Sequence, residues 1–218
     1  IVQLSLTLGN EKINSIWLQK DGKIVTAGYI QVSTPLERKY VIMRFNANGS
    51  LDNSFASGGK FIYNIGTQLI YPVSVVIQPD NKIVVVGHYT APSYKTKPIL
   101  IRLNTNGSLD NSFGTGGLFI TPFDTTNIYP YAMRIQSDGK FVVAASTNYN
   151  TSVLRYKANG GMDSTFGKDG FVNIPLSPGE DEPCAIDIQA DGKIITAGYA
   201  YLNTDMAFAI ARYNTNGI

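Results

Sequence analysis

Few side chains in this 218-residue sequence are equipped for chemistry: there is one histidine, one cysteine and little clustering of carboxylates. A Ser-His-Asp arrangement would have to use His88, yet no Gly-x-Ser-x-Gly elbow accompanies it. A zinc centre would need more imidazoles or thiolates than His88 and Cys184 supply. With Cys184 alone, no intramolecular disulfide can form. The stretches 46–52 and 104–110 alternate oxygen side chains somewhat like a calcium loop. Their only carboxylates are Asp52 and Asp110, and an Asn-Gly hairpin turn explains the same residues without a metal. The glycosylation sequons at Asn48 and Asn106 follow from that repeated turn. Glu180, Asp181 and Glu182 form an acidic cluster read as a solvated loop, with cation or basic-partner binding as the alternative. Neither a catalytic residue, a metal ligand nor a cofactor is assigned.

What positions these residues is a repeat. Gln-x-Asp-x-Lys occurs at Gln19, Gln78, Gln136 and Gln189, and its aspartates (Asp21, Asp80, Asp138, Asp191) lie 59, 58 and 53 residues apart. A period of that size marks a stack of supersecondary units. In the second copy, residues 72–77, 83–87, 99–103 and 118–123 read as four strands, called a, b, c and d in every copy, rich in β-branched residues and separated by turn residues. Four short strands per copy, with no sustained helical period, predict an all-β chain: a β-propeller of four repeats of about 53–59 residues, each a four-stranded blade. The expected blades are 13–66, 72–124, 130–175 and 183–218, within a single domain spanning 1–218. The N-terminal strand, residues 1–8, is expected to complete the last blade and close the ring, removing exposed edges. A fragment of a longer array is the alternative.

Arg44, Arg102, Arg155 and Arg212 recur at one place in every copy. The expectation is that each guanidinium braces the loop that follows, through Asp52, Asp110 or Asp163 or through carbonyls, since Arg offers five fixed donors. A column of strand-a residues reads Trp17, Val76, Arg134, Asp187, so Arg134 and Asp187 fall on adjacent blades and are expected to pair near the channel.

Composition narrows the partners. A net charge of +2 without any Lys/Arg run lacks the electrostatic footprint of a nucleic-acid binder. No apolar stretch approaches the 18 residues of a membrane helix, so no membrane insertion is expected. The chain opens on Ile1, which suggests a removed leader.

The repeat (Gln-x-Asp-Gly-Lys-Ile, then Arg-Phe/Tyr-Asn-x-Asn-Gly-Ser-Leu-Asp-x-Ser-Phe) resembles the bacterial delta-60 repeat, a relative of NHL-type propeller repeats. The resemblance covers the whole chain and implies a propeller-like domain, often within large secreted or surface proteins of bacteria. It brings no reaction with it. Departures are Asn81 at the turn glycine, Ala144 and Ala145 where other copies have Gly, and Lys157 for Asn.

Within each copy the a–b turns and c–d linkers are nearly identical, whereas the d–a and b–c loops vary. Variable loops on a rigid scaffold are where recognition resides. Those loops hold Tyr29, Tyr71, Tyr89, Tyr94, Tyr129, Tyr149, Tyr199 and Tyr201, and tyrosine suits sugar rings and protein surfaces alike. The candidate binding residues are Tyr29, His88, Tyr89, Tyr94, Tyr149, Tyr199 and Tyr201. The reading is a non-enzymatic interaction module, secreted or at the cell surface, that presents these loops to a protein or glycan, alone or within a larger assembly. The alternative is a propeller hydrolase or lyase acting at the channel mouth, which would need convergent acids there.

Overall fold

The computed structural model describes residues 6, 9–33, 36–65, 69–90, 95–123, 126–203 and 205–217. Among them the chain forms strands and no helix, so no helix is long and apolar enough to cross a membrane. The first sheet is β1 (Asn10–Leu18), β2 (Ile24–Ser33), β3 (Leu36–Phe45) and β4 (Lys60–Tyr63), antiparallel and in chain order. The second is β5 (Ile70–Ile77), β6 (Ile83–Thr90), β7 (Thr96–Leu103) and β8 (Leu118–Ile120). The third is β9 (Ile128–Ile135), β10 (Phe141–Thr147), β11 (Asn150–Tyr156) and β12 (Phe171–Ile174). The fourth has three strands among the described residues: β13 (Asp181–Ile188), β14 (Ile194–Leu202) and β15 (Asp205–Tyr213). This is the all-β, four-repeat architecture that the sequence predicts. The strand expected to complete the last blade falls on residues 1–8, which lie outside the described residues except for Leu6. Leu6 packs beside Ile30, Val41 and Met43 of the first blade.

Two compact units are present, Ile1–Lys95 with Ile99–Ile120, and Thr96–Pro98 with Thr121–Ile218. In the first, Val25, Ala27, Tyr40 and Ile42 of one blade pack against Val75, Ile83, Val85, Ile99 and Ile101 of the next. In the second, Val142, Ala144 and Val153 meet Ile186, Ile194 and Tyr213 in the same way. Both faces of the middle strands are buried, which is why β6, β7 and β10 read as continuous apolar runs rather than alternating ones.

The constant end of the first three blades is a charge network built on a turn shared by all four. The Gln-x-Asp-x-Lys turn closes by a bond from the Gln amide to the Lys carbonyl (2.8–2.9 Å in all four), with the Asp Oδ1 accepting from the Lys amide. Its third central residue has positive φ: glycine in three copies and Asn81 (φ 64°) in the fourth, the asparagine being tolerated there. The Lys then reaches the linker aspartate: Lys23 to Asp52 (2.9 Å), Lys82 to Asp110 (2.9 Å), Lys140 to Asp163 (3.1 Å). The same carboxylates take Arg44, Arg102 and Arg155 through Nε at 2.7–2.8 Å. Each guanidinium lies 4.5–4.6 Å from the ring centre of Phe55, Phe113 or Phe166. The arginines therefore brace the linker. They also cross to the neighbouring blade: Arg44 Nη1 donates to the Thr105 carbonyl (2.6 Å), and Arg155 Nη1 to that of Thr215 (2.5 Å).

These bonds hold the aspartates ionised. The Ser54 hydroxyl, then Lys23 and Arg44, pull the Asp52 carboxyl well below the usual range against its burial. For Asp110 burial is the largest influence and opposes ionisation, but Lys82, Ser112 and Arg102 outweigh it. Asp163 behaves alike, with Thr165 and Lys140 overcoming burial to bring it to about 2. The oxygens of Asn48 and Asn106 accept from Ser50 and Ser108 within their turns, so the calcium-like stretch is built as a hairpin.

Candidate functional site

The other end of each blade is where the copies diverge, and a shared backbone device aims the divergent side chains. Every strand a carries a β-bulge at the same repeat position, at Asn14, Val73, Tyr131 and Cys184. A bulge leaves one residue unpaired and re-aims its side chain. Three copies place Pro72, Pro130 or Pro183 just before the bulge, where a missing amide hydrogen is harmless. In three copies the carbonyl two residues before the bulge turns onto strand b, and a glycine there admits it; the third copy has Ala145 at that place. A Cβ on Gly28, Gly87 or Gly198 would stand 2.1, 2.1 and 1.9 Å from the carbonyl oxygens of Lys12, Tyr71 and Glu182. At Gly87 the Tyr40 hydroxyl also crosses to the Tyr71 carbonyl, 3.4 Å away.

Just beyond the bulge, strands a and b form a cross-strand pair that differs in every blade. The pairs are Lys12 with Tyr29, Tyr71 with His88, Tyr129 with Ser146, and Glu182 with Tyr199. Two clusters grow from them, one in each unit.

In the first unit, Arg38 of β3 lies over the Tyr71 ring (3.9 Å to its centre) and beside Tyr29 (5.2 Å). Tyr29 meets Tyr71 edge-on at 5.8 Å, and Tyr71 meets the His88 ring at 4.7 Å. Arg38 Nε donates to Gln31 Oε1 (2.5 Å), while its Nη1 is buried without a hydrogen-bond partner among the described residues. Burial, and secondarily the Arg38 charge, push the His88 imidazole down to about 4, so it is neutral at physiological pH.

In the second unit, the Tyr199 hydroxyl donates to Glu182 Oε2 (2.9 Å), and Tyr201 meets Tyr199 edge-on at 5.9 Å. The bond to Glu182 is the main reason the Tyr199 phenol rises to about 12. Tyr131, aimed by its bulge, is pushed above the ordinary range by burial first and by its own bond to Glu182 second. Asp181 has a different task. Buried, it accepts from the Leu176 and Ser177 amides and the Ser177 hydroxyl, tying down the loop before β13. Tyr149 projects from the β10–β11 turn, 69% exposed, at φ 66° beside Asn148 at φ 51°, the two-residue hairpin with both central residues left-handed.

Tyr29, His88, Tyr199 and Tyr201 thus sit at the divergent end, and Tyr149 at a loop tip. Tyr89 does not serve as a surface residue: it is 8% exposed within the core of the first unit, at the repeat position occupied by Ile30. Tyr94 lies outside the described residues. Arg134 Nε stands 3.6 Å from Asp187 Oδ1, with the Arg134 side chain half-buried and that of Asp187 exposed. Sequence reasoning missed Arg38, Glu182 as a tyrosine partner and Tyr131. The signal was the in-strand proline, which marks the bulge.

Repeated antiparallel blades with one constant and one divergent end define a β-propeller repeat protein. The sequence matches the family described as a domain of unknown function (DUF5122) beta-propeller, over residues 19–55, 78–113, 136–166 and 189–217. The chain belongs to that family. No curated protein matches it in sequence. Its structure is similar to the crystal structure of a protein of unknown function from Dyadobacter fermentans (12% identity, TM-score 0.53), over 85% of this chain and 56% of that one. The chain thus spans little more than half of that neighbour, and the likeness concerns the fold. Weaker likenesses are to a protein from Lactobacillus plantarum (10% identity, TM-score 0.36, covering 92% of this chain and 84% of that one) and to Drosophila Plexin A in complex with Semaphorin 1b (12% identity, TM-score 0.35, 94% and 54%). Those two superpose too loosely to carry an argument.

Proposed function

We propose that the chain is a non-enzymatic interaction module that binds a protein or glycan through the divergent ends of its blades. The observation that carries this reading is the cross-strand pair beyond the bulge. One backbone device, repeated four times, presents four different pairs, while the opposite end repeats one turn in all four blades and one charge network in the first three. Structural need alone would hold both ends constant; a recognition surface needs one end to vary. The Arg38 guanidinium is stacked on the Tyr71 ring beside Tyr29, with a buried donor unpartnered among the described residues, which suits an acidic group on the ligand. The resemblance to delta-60 repeats supports a place in a secreted or surface protein of bacteria.

The test is a glycan array that includes acidic sugars, run beside a displayed-peptide library. Wild type, Arg38→Ala, Tyr149→Ala and, from the constant end, Asn48→Ala are compared for each hit. Arg38→Ala or Tyr149→Ala is expected to weaken binding at least about tenfold, a hot-spot loss, with Asn48→Ala unchanged. Binding that survives both divergent-end substitutions and fails in Asn48→Ala would refute the reading.

A further inference from the structure

The divergent end of the first unit holds two cationic side chains that lack a countercharge among the described residues. Arg38 is the first. Its neighbour Glu37 is taken by Lys39 and by the Asn64 amide, and no carboxylate stands within ion-pair distance of Arg38. Two other groups hold the guanidinium in place: the Tyr71 ring, over which it lies at 3.9 Å, and Gln31 Oε1, which accepts from Nε at 2.5 Å. What remains is the edge carrying Nη1 and Nη2. Nη1 is buried without a hydrogen-bond partner, while Arg38 as a whole is only half-buried. A charged donor left unpaired and shielded from water is costly, so an anion that reaches this edge gains more than it would at an exposed arginine. The edge is a rigid fork that matches the two oxygens of a carboxylate.

Lys12 is the second cation. It stands opposite Tyr29 across β1 and β2, and it too has no ion pair among the described residues. Directly opposed residues share one face of a sheet, as do residues two apart on a strand. Lys12, Tyr29, Gln31 and Arg38 therefore lie on the same face, since Gln31 is opposed to Arg38. Across three strands that face runs cation, ring, cation, with Lys12 and Arg38 two strand spacings, about 10 Å, apart at the backbone. Tyr29 is half-buried and meets Tyr71 edge-on rather than stacked. Its hydroxyl makes no hydrogen bond among the described residues. With its oxygen turned to Arg38, Gln31 is left with an amide N–H to donate.

We infer that this face binds a polysaccharide of uronic acids. The carboxylate of one sugar pairs with the Arg38 fork, the ring of that sugar lies against Tyr29, and the carboxylate of a neighbouring sugar meets Lys12. The ring between the cations favours a sugar over an acidic peptide. A pyranose carries a flat C–H face beside its carboxylate and matches an aromatic surface next to an arginine, whereas an Asp or Glu side chain offers only a methylene stem. Sugar hydroxyls also use the Tyr29 hydroxyl and the Gln31 amide. This inference rests on the reading that the divergent ends bind a ligand, and it narrows that reading to one ligand class at one place.

The test is an NMR titration with oligogalacturonate, its fully methyl-esterified form and an oligoglutamate of equal length. The reporter is the single histidine, His88, whose ring lies 4.7 Å from that of Tyr71. Wild type, Arg38→Ala, Arg38→Lys and, from the constant end, Asn48→Ala are compared, with thermal melts by circular dichroism to verify folding. The free acid is expected to bind wild type and Asn48→Ala alike and to displace the His88 resonance. The ester and the oligoglutamate are expected to bind wild type at least about tenfold more weakly, the loss of one charge-assisted pair. Arg38→Ala should lose as much, and Arg38→Lys should also weaken, because an ammonium lacks the fork. The comparison of acid with ester in wild type needs no variant to fold. Equal binding of acid and ester, acid binding retained in Arg38→Ala, or no binding of the acid overturns the inference. The wider reading is then decided separately, by array hits that depend on Tyr149. Oligoglutamate binding as tightly as the uronate also overturns it, and assigns the site to an acidic peptide.

Discussion

Replacing Asp110 by Asn tests whether the repeated charge network holds the blades together. The carboxylate lies 2.7 Å from Arg102 Nε and 2.9 Å from Lys82 Nζ, and its Oδ1 accepts from the Ser112 amide and hydroxyl. The amide keeps the shape and the Ser112 bonds but removes the charge. Breaking a buried ion pair costs about 3–5 kcal/mol, because the partner stays charged away from water. Two features of the site set the value toward the lower end. Lys82 is part-exposed and can turn to solvent, so its share is that of a surface pair, at most about 1 kcal/mol. Arg102 retains the Phe113 ring at 4.6 Å. The expected loss at pH 7 is about 3 kcal/mol, or roughly 6–12 °C in melting temperature for a chain of this size. Asp191→Asn, at an exposed turn where Asp191 pairs only with its own turn's Lys193 among the described residues, serves as the control and is expected to shift the melt by no more than about 2 °C. The pH dependence supplies a second check. Folded Asp110 is depressed below the unfolded value of about 3.9, so its stabilisation is present above pH 4 and is lost as pH falls through the folded pKa. The difference between wild type and Asp110→Asn should therefore shrink below about pH 4. A loss no larger than that of Asp191→Asn, or one that stays constant from pH 7 to pH 3, would refute the reasoning.

Three further outcomes are expected. The single histidine makes the imidazole resonance of His88 unambiguous; its NMR titration should centre near 4 and move upward in Arg38→Ala, and a midpoint at 6–7 in wild type contradicts the burial argument. Since the unfolded chain protonates this imidazole first, His88 also withdraws stability between about pH 6.5 and 4. Glu182→Gln should bring the ultraviolet phenol titration of Tyr199 down from about 12 toward 10, and an unchanged curve would show that the bond to Glu182 is not its cause. Gly198→Ala forces a Cβ against the Glu182 carbonyl and should destabilise by about 1–3 kcal/mol, measured as a urea midpoint; a neutral result would mean that the bulge relaxes at no cost.

Much of the fold was legible. The Gln-x-Asp-x-Lys turns, the β-branched runs after them and the recurrence of Arg44, Arg102 and Arg155 ahead of an aspartate are local or strictly periodic signals. Strand ends were less so: β6 runs on to Thr90 and β7 starts at Thr96, because pairing continues into the variable loops, while β8 ends at Ile120, ahead of Pro122. The site was legible only in part. Tyr29 and Tyr89 look alike as loop tyrosines, but Tyr29 aligns with His88 at the divergent end and Tyr89 with Ile30 in the core. One residue along a strand exchanges the two faces.

By itself the sequence determined the repeat, the all-β class and the charge network, because each depends on turn chemistry or on residues that recur at a fixed spacing. Tertiary structure alone decided which side chains meet at the divergent ends. The bulges at Asn14, Val73, Tyr131 and Cys184 shift strand register by one residue, and the resulting contacts, Tyr131 with Glu182 and Arg38 with Tyr71, join different blades. Such contacts form between residues distant in sequence, once packing has set the angle between neighbouring sheets, and no local pattern encodes that angle.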